Sequence, residues 1–202
     1  MTAPAATAAE VARATESRRA LPNGWWAMAC LIATESALFG AFIASYFYLR
    51  FKAVHWPPAG ESEPKLAVPL ILMGVLIATS VPMQLASTAA LRGRLQTARW
   101  ALFLALFVQS GYLAMQIDRF VVSLRTSHPE DDSYASITYT LVGGHHVHVA
   151  IGLLLNAFLL VRLARGLTNY RAVGVQVVTL YWHFVNALAI AVTLTTLSPA
   201  LT

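Results

Sequence analysis

The chain has 202 residues, of which 57% are hydrophobic and 11% are charged, and its mean hydropathy is +0.61. Soluble domains contain about 25% charged residues, so this composition excludes an ordinary water-soluble domain and indicates an integral membrane protein. The formal net charge of +5 includes no run of more than two basic residues, which argues against nucleic-acid binding and makes the charge a signal of orientation.

Five apolar segments are long enough to cross a bilayer as helices. A hydrocarbon core of about 30 Å requires roughly 20 apolar residues at about 1.5 Å each. The alternating ten-residue segments of a membrane barrel are absent. The sequence therefore predicts an all-α integral membrane bundle of five transmembrane helices within residues 23–202. The predicted spans are residues 25–50, 66–91, 99–122, 134–162 and 172–197.

Residues 1–22 are rich in Ala and Thr and lack the apolar core of a signal peptide, so we predict a disordered cytoplasmic tail. In the first span, Glu35 follows Trp25 by ten residues and therefore lies roughly 15 Å deep, near the membrane midplane. A carboxylate at this depth must be protonated, paired, or turned toward protein or water. It indicates either a working role, linked to protons, lipid or another subunit, or a structural hydrogen bond. The only cysteine, Cys30, is assigned to packing.

After the first span, Trp56-Pro57-Pro58 predicts a fixed extended or turned loop with its tryptophan in the headgroup region. Pro82, in the middle of the second span, should kink that helix and free a carbonyl. The connections after spans two and four are short. They predict that spans two and three, and spans four and five, pack as antiparallel neighbours.

The fourth and fifth spans carry histidines at the depth of Glu35. His145 and His148 lie roughly 16 and 21 Å into span four, and His183 lies roughly 16 Å into span five. His145 and His148 share one helix face, while His146 points elsewhere. A neutral carboxyl donating to a neutral imidazole is inexpensive in low dielectric, so we predict a midplane cluster of Glu35, His145 and His148.

A metal or haem site is the alternative interpretation of these histidines. It requires a completed ligand set, and the sequence contains no HExxH helix, CxxC pair or CxxCH attachment motif. We predict that this chain binds no metal and has no nucleophile. Gly143, Gly144 and Gly152 flank the histidines and indicate close approach of either another helix or a lipid chain.

Basic residues are distributed unequally between the two sets of connections. Nine of the 14 Lys and Arg residues lie in the tail and after spans two and four. The other connections hold five, together with six acidic residues. The positive-inside rule therefore predicts a cytoplasmic N-terminus and a C-terminus outside.

Three motifs resemble subunit III of the haem-copper respiratory oxidases, in the short five-helix bacterial form. The segment from Glu35 to Phe39, followed by Trp56 and Pro57, resembles the family's helix with a carbodiimide-reactive glutamate and its Trp-Pro-Pro loop. Residues 134–152 resemble the family segment that contains Gly-x-His-x-x-His-Val. The last-helix signature is matched by Tyr181, Trp182 and His183, with the following Phe and Val.

The resemblance departs from the family pattern at three positions in the last span. Asn186 and Ala189 stand where the family has Asp and Trp, and Gln176 stands where a Glu is usual. These departures leave open a subunit III-like partner of a quinol oxidase or nitric oxide reductase. A stand-alone transporter, using Glu35 and the histidines as a proton relay, is an alternative of another class. The absence of an internal sequence repeat argues against it.

The resemblance implies a non-catalytic subunit of cytochrome c oxidase, which reduces oxygen to water and pumps protons, in the bacterial plasma (inner) membrane. Such a subunit packs mainly on oxidase subunit I, with subunit II in the same complex, binds phospholipid and supports proton uptake. Haem and copper belong to the partner subunits, and no cofactor is expected in this chain.

Overall fold

The computed structural model describes residues 23–58, 66–166 and 168–201 as helices with short connections. The predicted tail, residues 1–22, lies outside the described residues. The helices are α1 (Asn23–Lys52), α2 (Ala67–Ala78), α3 (Ser80–Leu91), α4 (Leu95–Leu124), α5 (Ser133–Ala164) and α6 (Asn169–Leu197), followed by a 3₁₀ turn at Ser198–Ala200. Helices α2 and α3 together form the second of five membrane-length segments. The prediction of an all-α bundle with five spans is confirmed.

A glycine turn and a capping side chain mark where helices end and begin. Gly93 adopts a positive φ of 72° after α3, and Arg94 N–H donates back to the Ala89 carbonyl at 2.9 Å. Glycine occupies such positions without a Cβ penalty. The Asp132 carboxylate caps α5 by accepting from Ala135 N–H at 2.7 Å. The short connections after α3 and after α5 place α3 against α4 and α5 against α6, as predicted.

The second span is broken at Thr79, between α2 and α3. Pro82 lies three residues beyond the break and has no N–H to donate to the carbonyl four residues earlier, which is that of Ala78. Thr79 N–H instead donates to the Leu76 carbonyl at 3.0 Å, a tighter turn than α-helix. The predicted kink is confirmed as a break in the helix, and the hydroxyl groups of Thr79 and Ser80 lie beside it.

The buried apolar residues form two clusters. The larger joins α2, α3, α4, α5 and α6 around residues such as Met83, Leu102 and Trp182, and includes Met28 of α1. The smaller joins α1 to α5 and α6 through Phe39 and Tyr46. Helix α1 contacts only α5 and α6 among the described helices, and most of its side chains are exposed. It therefore lies at the edge of the bundle, with Glu35 on its inner side.

The Trp-Pro-Pro loop folds back onto the bundle after α1. Trp56 makes edge contacts with Tyr46 of α1 at 5.3 Å and with Tyr134 of α5 at 5.0 Å between ring centroids. Edge-to-face pairs of this kind are stabilising beyond the area they bury. The loop thus fastens the end of α1 to the start of α5.

The three glycines near the histidines are each met by an aromatic ring. A Cβ on Gly143 would lie 3.5 Å from Phe120, and one on Gly144 would lie 3.4 Å from Phe39. A Cβ on Gly152 would lie 2.6 Å from Trp182 Cζ3, closer than any ordinary contact. Of the two interpretations of these glycines, the structure favours close helix packing.

We expect Gly152→Ala to destabilise the bundle, because the new methyl overlaps the fully buried Trp182 ring. Overpacking of this kind costs about 1–3 kcal/mol. Thermal unfolding in detergent, followed by circular dichroism, measures the effect. Gly111→Ala in α4 is the matched control, since no atom lies within 4 Å of its Cβ position. Equal midpoints for the two variants would contradict the assigned close contact.

Candidate functional site in the middle of the membrane

Glu35 and His148 form a polar pair between α1 and α5. Glu35 Oε2 lies 3.1 Å from His148 Nε2, and the two side chains are 24% and 13% exposed. His148 Nδ1 lies 2.8 Å from the Gly144 carbonyl oxygen. Phe39, one turn after Glu35, makes an edge contact with the imidazole at 5.2 Å. The pair is therefore mostly enclosed by protein, with the carboxyl at the bundle edge.

The contact to Gly144 determines which nitrogen of His148 carries a proton. A carbonyl oxygen only accepts, so Nδ1 must be the N–H donor to it. In a neutral imidazole Nε2 is then an acceptor, and the Glu35 carboxyl must be protonated to donate. Moving that proton to Nε2 instead gives a carboxylate and an imidazolium. Both arrangements carry no net charge, which makes the pair tolerable in a low-dielectric environment.

His145 does not join this pair. Its side chain is 4% exposed, and neither ring nitrogen has a hydrogen-bond partner in the part of the chain that the structure describes. Its nearest ring contact is His146, with centroids 6.2 Å apart. Residues three apart on a helix are rotated by about 60°, which is enough for neighbouring elements to receive them differently. The predicted cluster of three is thus divided into a bonded pair and a separate histidine.

The last-helix signature is fastened to the break in the second span. Trp182 Nε1 donates to Thr79 Oγ1 at 2.8 Å. His183 Nδ1 and Nε2 each lie 3.2 Å from a polar oxygen, that of Ser80 Oγ and that of Gln84 Oε1 respectively. These contacts satisfy polar groups beside the kink. His183 therefore holds α6 to α3 and is separate from the Glu35 pair.

Tyr181 links the signature to the histidine helix by donating its hydroxyl to the His148 carbonyl at 3.1 Å. Two of the three departures from the family pattern lie in the same region. Asn186 donates through its amide nitrogen to Ser80 Oγ at 2.6 Å, which an aspartate cannot do. Ala189 is 1% exposed and packs in the larger core cluster. The third departure, Gln176, is half-buried on α6.

Sequence reasoning missed the residues that receive the signature. Thr79, Ser80 and Gln84 surround Pro82 in an otherwise apolar span, and polar residues beside a kink were the available signal. It also missed the buried amide pair of α4 and α5, in which Asn156 Nδ2 donates to Gln109 Oε1 at 3.0 Å. No sequence motif indicates that these two side chains meet, because a single Asn in an apolar span does not identify its partner.

The side chains present can share or relay a proton, because an imidazole and a carboxyl are in contact. Within residues 23–58, 66–166 and 168–201, no group of three or more His, Cys, Asp or Glu side chains is arranged to hold a metal ion. The midplane histidines instead have separate surroundings: His148 contacts Glu35, His183 contacts α3, and His145 lies beside His146.

Comparison with known proteins identifies a family with this sequence pattern. The family model described as cytochrome c oxidase subunit III matches residues 15–196. The chain is 36% identical over 165 residues to a probable cytochrome c oxidase subunit 3 of Mycobacterium tuberculosis, covering 79% of this chain and 80% of the relative. It is 32% identical to a probable subunit 3 of Nocardia farcinica, over 77% of each chain. It is 30% identical to a subunit 3 of Bacillus sp. PS3, over 81% of this chain and 78% of the relative.

We expect His148→Leu to increase the rate at which a hydrophobic carbodiimide labels Glu35. The carboxyl proton is then no longer shared with Nε2, and a net hydrogen-bond free energy of about 0.5–1.5 kcal/mol corresponds to roughly a two- to tenfold change. Mass spectrometry of the labelled peptide measures the rate. His183→Leu is the matched control, since that imidazole contacts α3 rather than Glu35. An unchanged labelling rate in His148→Leu would show that His148 does not control the reactivity of Glu35.

Proposed function

Because the chain belongs to the cytochrome c oxidase subunit III family, we propose that it acts in a haem-copper oxidase as a non-catalytic subunit. The observation that carries this proposal is the match of the family model over residues 15–196. In this role the chain stabilises the subunits that reduce oxygen to water and assists proton uptake by the complex. The electrons and the oxygen chemistry belong to partner subunits that hold haem and copper.

The hydrogen bonds between polar groups within the chain favour a structural, non-catalytic role. Glu35 and His148 contact each other within the chain. The signature on α6 donates a hydrogen bond to the break in the second span. These contacts shape the bundle and leave Glu35, His148 and His183 already partnered. We assign Glu35 and His148 to holding α1 in position and to the proton-linked role of this subunit.

The exposed surface of α1 supports contact with oxidase subunit I and with phospholipid. Large apolar side chains point away from the bundle along its length, among them Trp26, Leu38, Phe47 and Tyr48. Apolar helix surface in a membrane is covered by lipid or by another transmembrane subunit. We place subunit I as the main partner, subunit II in the same complex, and phospholipid in the remaining contacts.

Asn186 and Ala189 favour one second candidate. Both differ from the usual family residues, and Asn186 donates to Ser80 Oγ, whereas an aspartate would have to accept from that hydroxyl. A subunit III-like partner of a quinol oxidase or nitric oxide reductase would retain the same bundle with a different partner. Identification of the partner separates these possibilities.

We expect the chain to co-purify in mild detergent with a haem-containing subunit I. A reduced-minus-oxidised visible spectrum and mass spectrometry of the partners measure this. Haem bands and a cytochrome c oxidase subunit I agree with the proposal, while a quinol oxidase or nitric oxide reductase subunit selects the second candidate. A colourless chain isolated alone, under conditions that keep oxidases intact, overturns the oxidase role and favours a stand-alone transporter.

We expect the N-terminus to lie in the cytoplasm and the C-terminus outside, because the N-terminal tail and the connections after α3 and α5 together carry nine of the 14 basic residues. In a bacterial plasma membrane, alkaline phosphatase fused after the C-terminus is then active, since this reporter folds only outside. The matched control is the same reporter inserted after Arg94, between α3 and α4, where it stays inactive. Activity of the inserted reporter without activity of the C-terminal fusion would show that the orientation is the reverse of the one predicted.

A further inference from the structure

We propose that His145 and His146 form the floor of a water-filled cavity that enters the membrane from the face where α4 ends and α5 begins. This site lies within the chain itself and is separate from the Glu35–His148 pair. Its ligand class is water, with small hydrophilic solutes able to follow. The proposal does not depend on which oxidase the chain serves.

The cavity has a volume of about 320 Å³ and lies between α4, α5, the end of α6 and the start of α2. Thr126 and Ser127 of the α4–α5 connection line one end, and His145 and His146 line the other. From Tyr134 to His145 the helix advances roughly 16 Å, about half the thickness of the hydrocarbon core. The cavity thus joins one membrane face to the midplane.

Three of the side chains that line the cavity carry buried polar atoms without a protein partner among the described residues. Both ring nitrogens of His145, Nε2 of His146 and Oγ1 of Thr138 are buried and have no hydrogen-bond partner among the described residues. His145 and His146 are only 4% and 8% exposed. Leaving a buried polar group unpaired costs about 1–3 kcal/mol, and more than one such group lines this single cavity. A hydrogen-bond partner beside these groups would remove that cost.

Water fits both the size and the chemistry of this space. One water molecule occupies about 30 Å³ in the liquid, so the cavity has room for several. Most of the lining side chains carry a hydroxyl, amide, imidazole or guanidinium group, including Gln116 and Thr193. Cavities that stay dry are lined by apolar side chains, and polar cavities of this size hold water that makes two to four hydrogen bonds.

A phospholipid headgroup is a poorer occupant. Arg119 is the only cationic side chain that lines the cavity within the described residues, and it is exposed. A phosphate is normally held by several charge-assisted hydrogen bonds. The polar floor also lies at a depth where a lipid whose headgroup sat at the mouth would place its acyl chains. Hydrophilic side chains at that depth favour water.

The two histidine sites are separated by the body of α5. Phe39 of α1 packs on Gly144 beside His148, whereas Phe120 of α4 packs on Gly143 and makes an edge contact with His146 at 5.5 Å. His148 has both ring nitrogens engaged, with Glu35 and a backbone carbonyl. Protons from one aqueous face can therefore reach His145 and His146 through water without passing through the Glu35 pair.

Cysteine labelling in the assembled complex tests the cavity. In a Cys30→Ser background, a membrane-impermeant, positively charged methanethiosulfonate is added to the face that bears the α4–α5 connection. We expect Thr138→Cys to react at least about tenfold faster than Thr140→Cys, because this reagent attacks thiolates, which form in water. Thr140 is the matched control, since it lies on the same helix with its side chain exposed on the outer surface. His128→Cys in the exposed connection verifies that the reagent reaches this face.

His146→Cys tests the floor, and it should also react faster than Thr140→Cys from the same face only. If Thr138→Cys fails to assemble, Thr193→Cys on α6 reports on the same cavity. Rates equal to that of Thr140→Cys, with His128→Cys reactive, overturn the water-filled cavity. Reaction that appears only after lipid extraction overturns it in favour of a lipid headgroup. Reaction of Thr138→Cys without reaction of His146→Cys overturns the assignment of the floor.

Discussion

The absence of water in the hydrocarbon core is the constraint on which this structure depends. A polar group at that depth must find its partner within the protein or in water that the protein encloses, because lipid offers none. Glu35 finds His148 on the neighbouring helix, and Asn156 finds Gln109. These two contacts tie α5 to α1 on one side and to α4 on the other. In a membrane, where apolar contact alone does not distinguish one helix partner from another, such ties select the arrangement.

The broken second span shows the same constraint acting on the backbone. Pro82 interrupts the helical hydrogen bonds, and the hydroxyls of Thr79 and Ser80 beside the break receive Trp182 and Asn186 from α6. The same Trp182 ring also packs closely on α5. The absence of a side chain at Gly152 allows this, since the Trp182 ring occupies the place where a Cβ would be. The geometry therefore explains the tryptophan of the α6 signature. Its ring packs against Gly152, and its indole N–H donates to Thr79 at the break.

Much of this arrangement follows from counting along the sequence, and the rest does not. Depth from the start of a span was sufficient to pair Glu35 with His148, and a mid-span proline was sufficient to place the kink. Depth does not determine rotation, however. His145 lies one turn from His148, and packing of α5 between α1 and α4 turns the two toward different neighbours. The partners of His183 and the cavity beside His145 depend on how helices distant in sequence approach each other, which single-span patterns do not encode.

Helix α1 depends on its polar pair more than the other helices do. It is the least buried of the five spans and packs only on α5 and α6 among the described helices. Exposed apolar side chains surround it, so a rotation of the helix would exchange one apolar face for another at little cost. A shift by one residue turns Glu35 by about 100°, away from His148 and toward lipid. A carboxyl without its partner is costly there, and Phe39 would leave its place at Gly144. The pair therefore determines the rotation of α1, and with it which surface α1 presents to lipid and partner subunits.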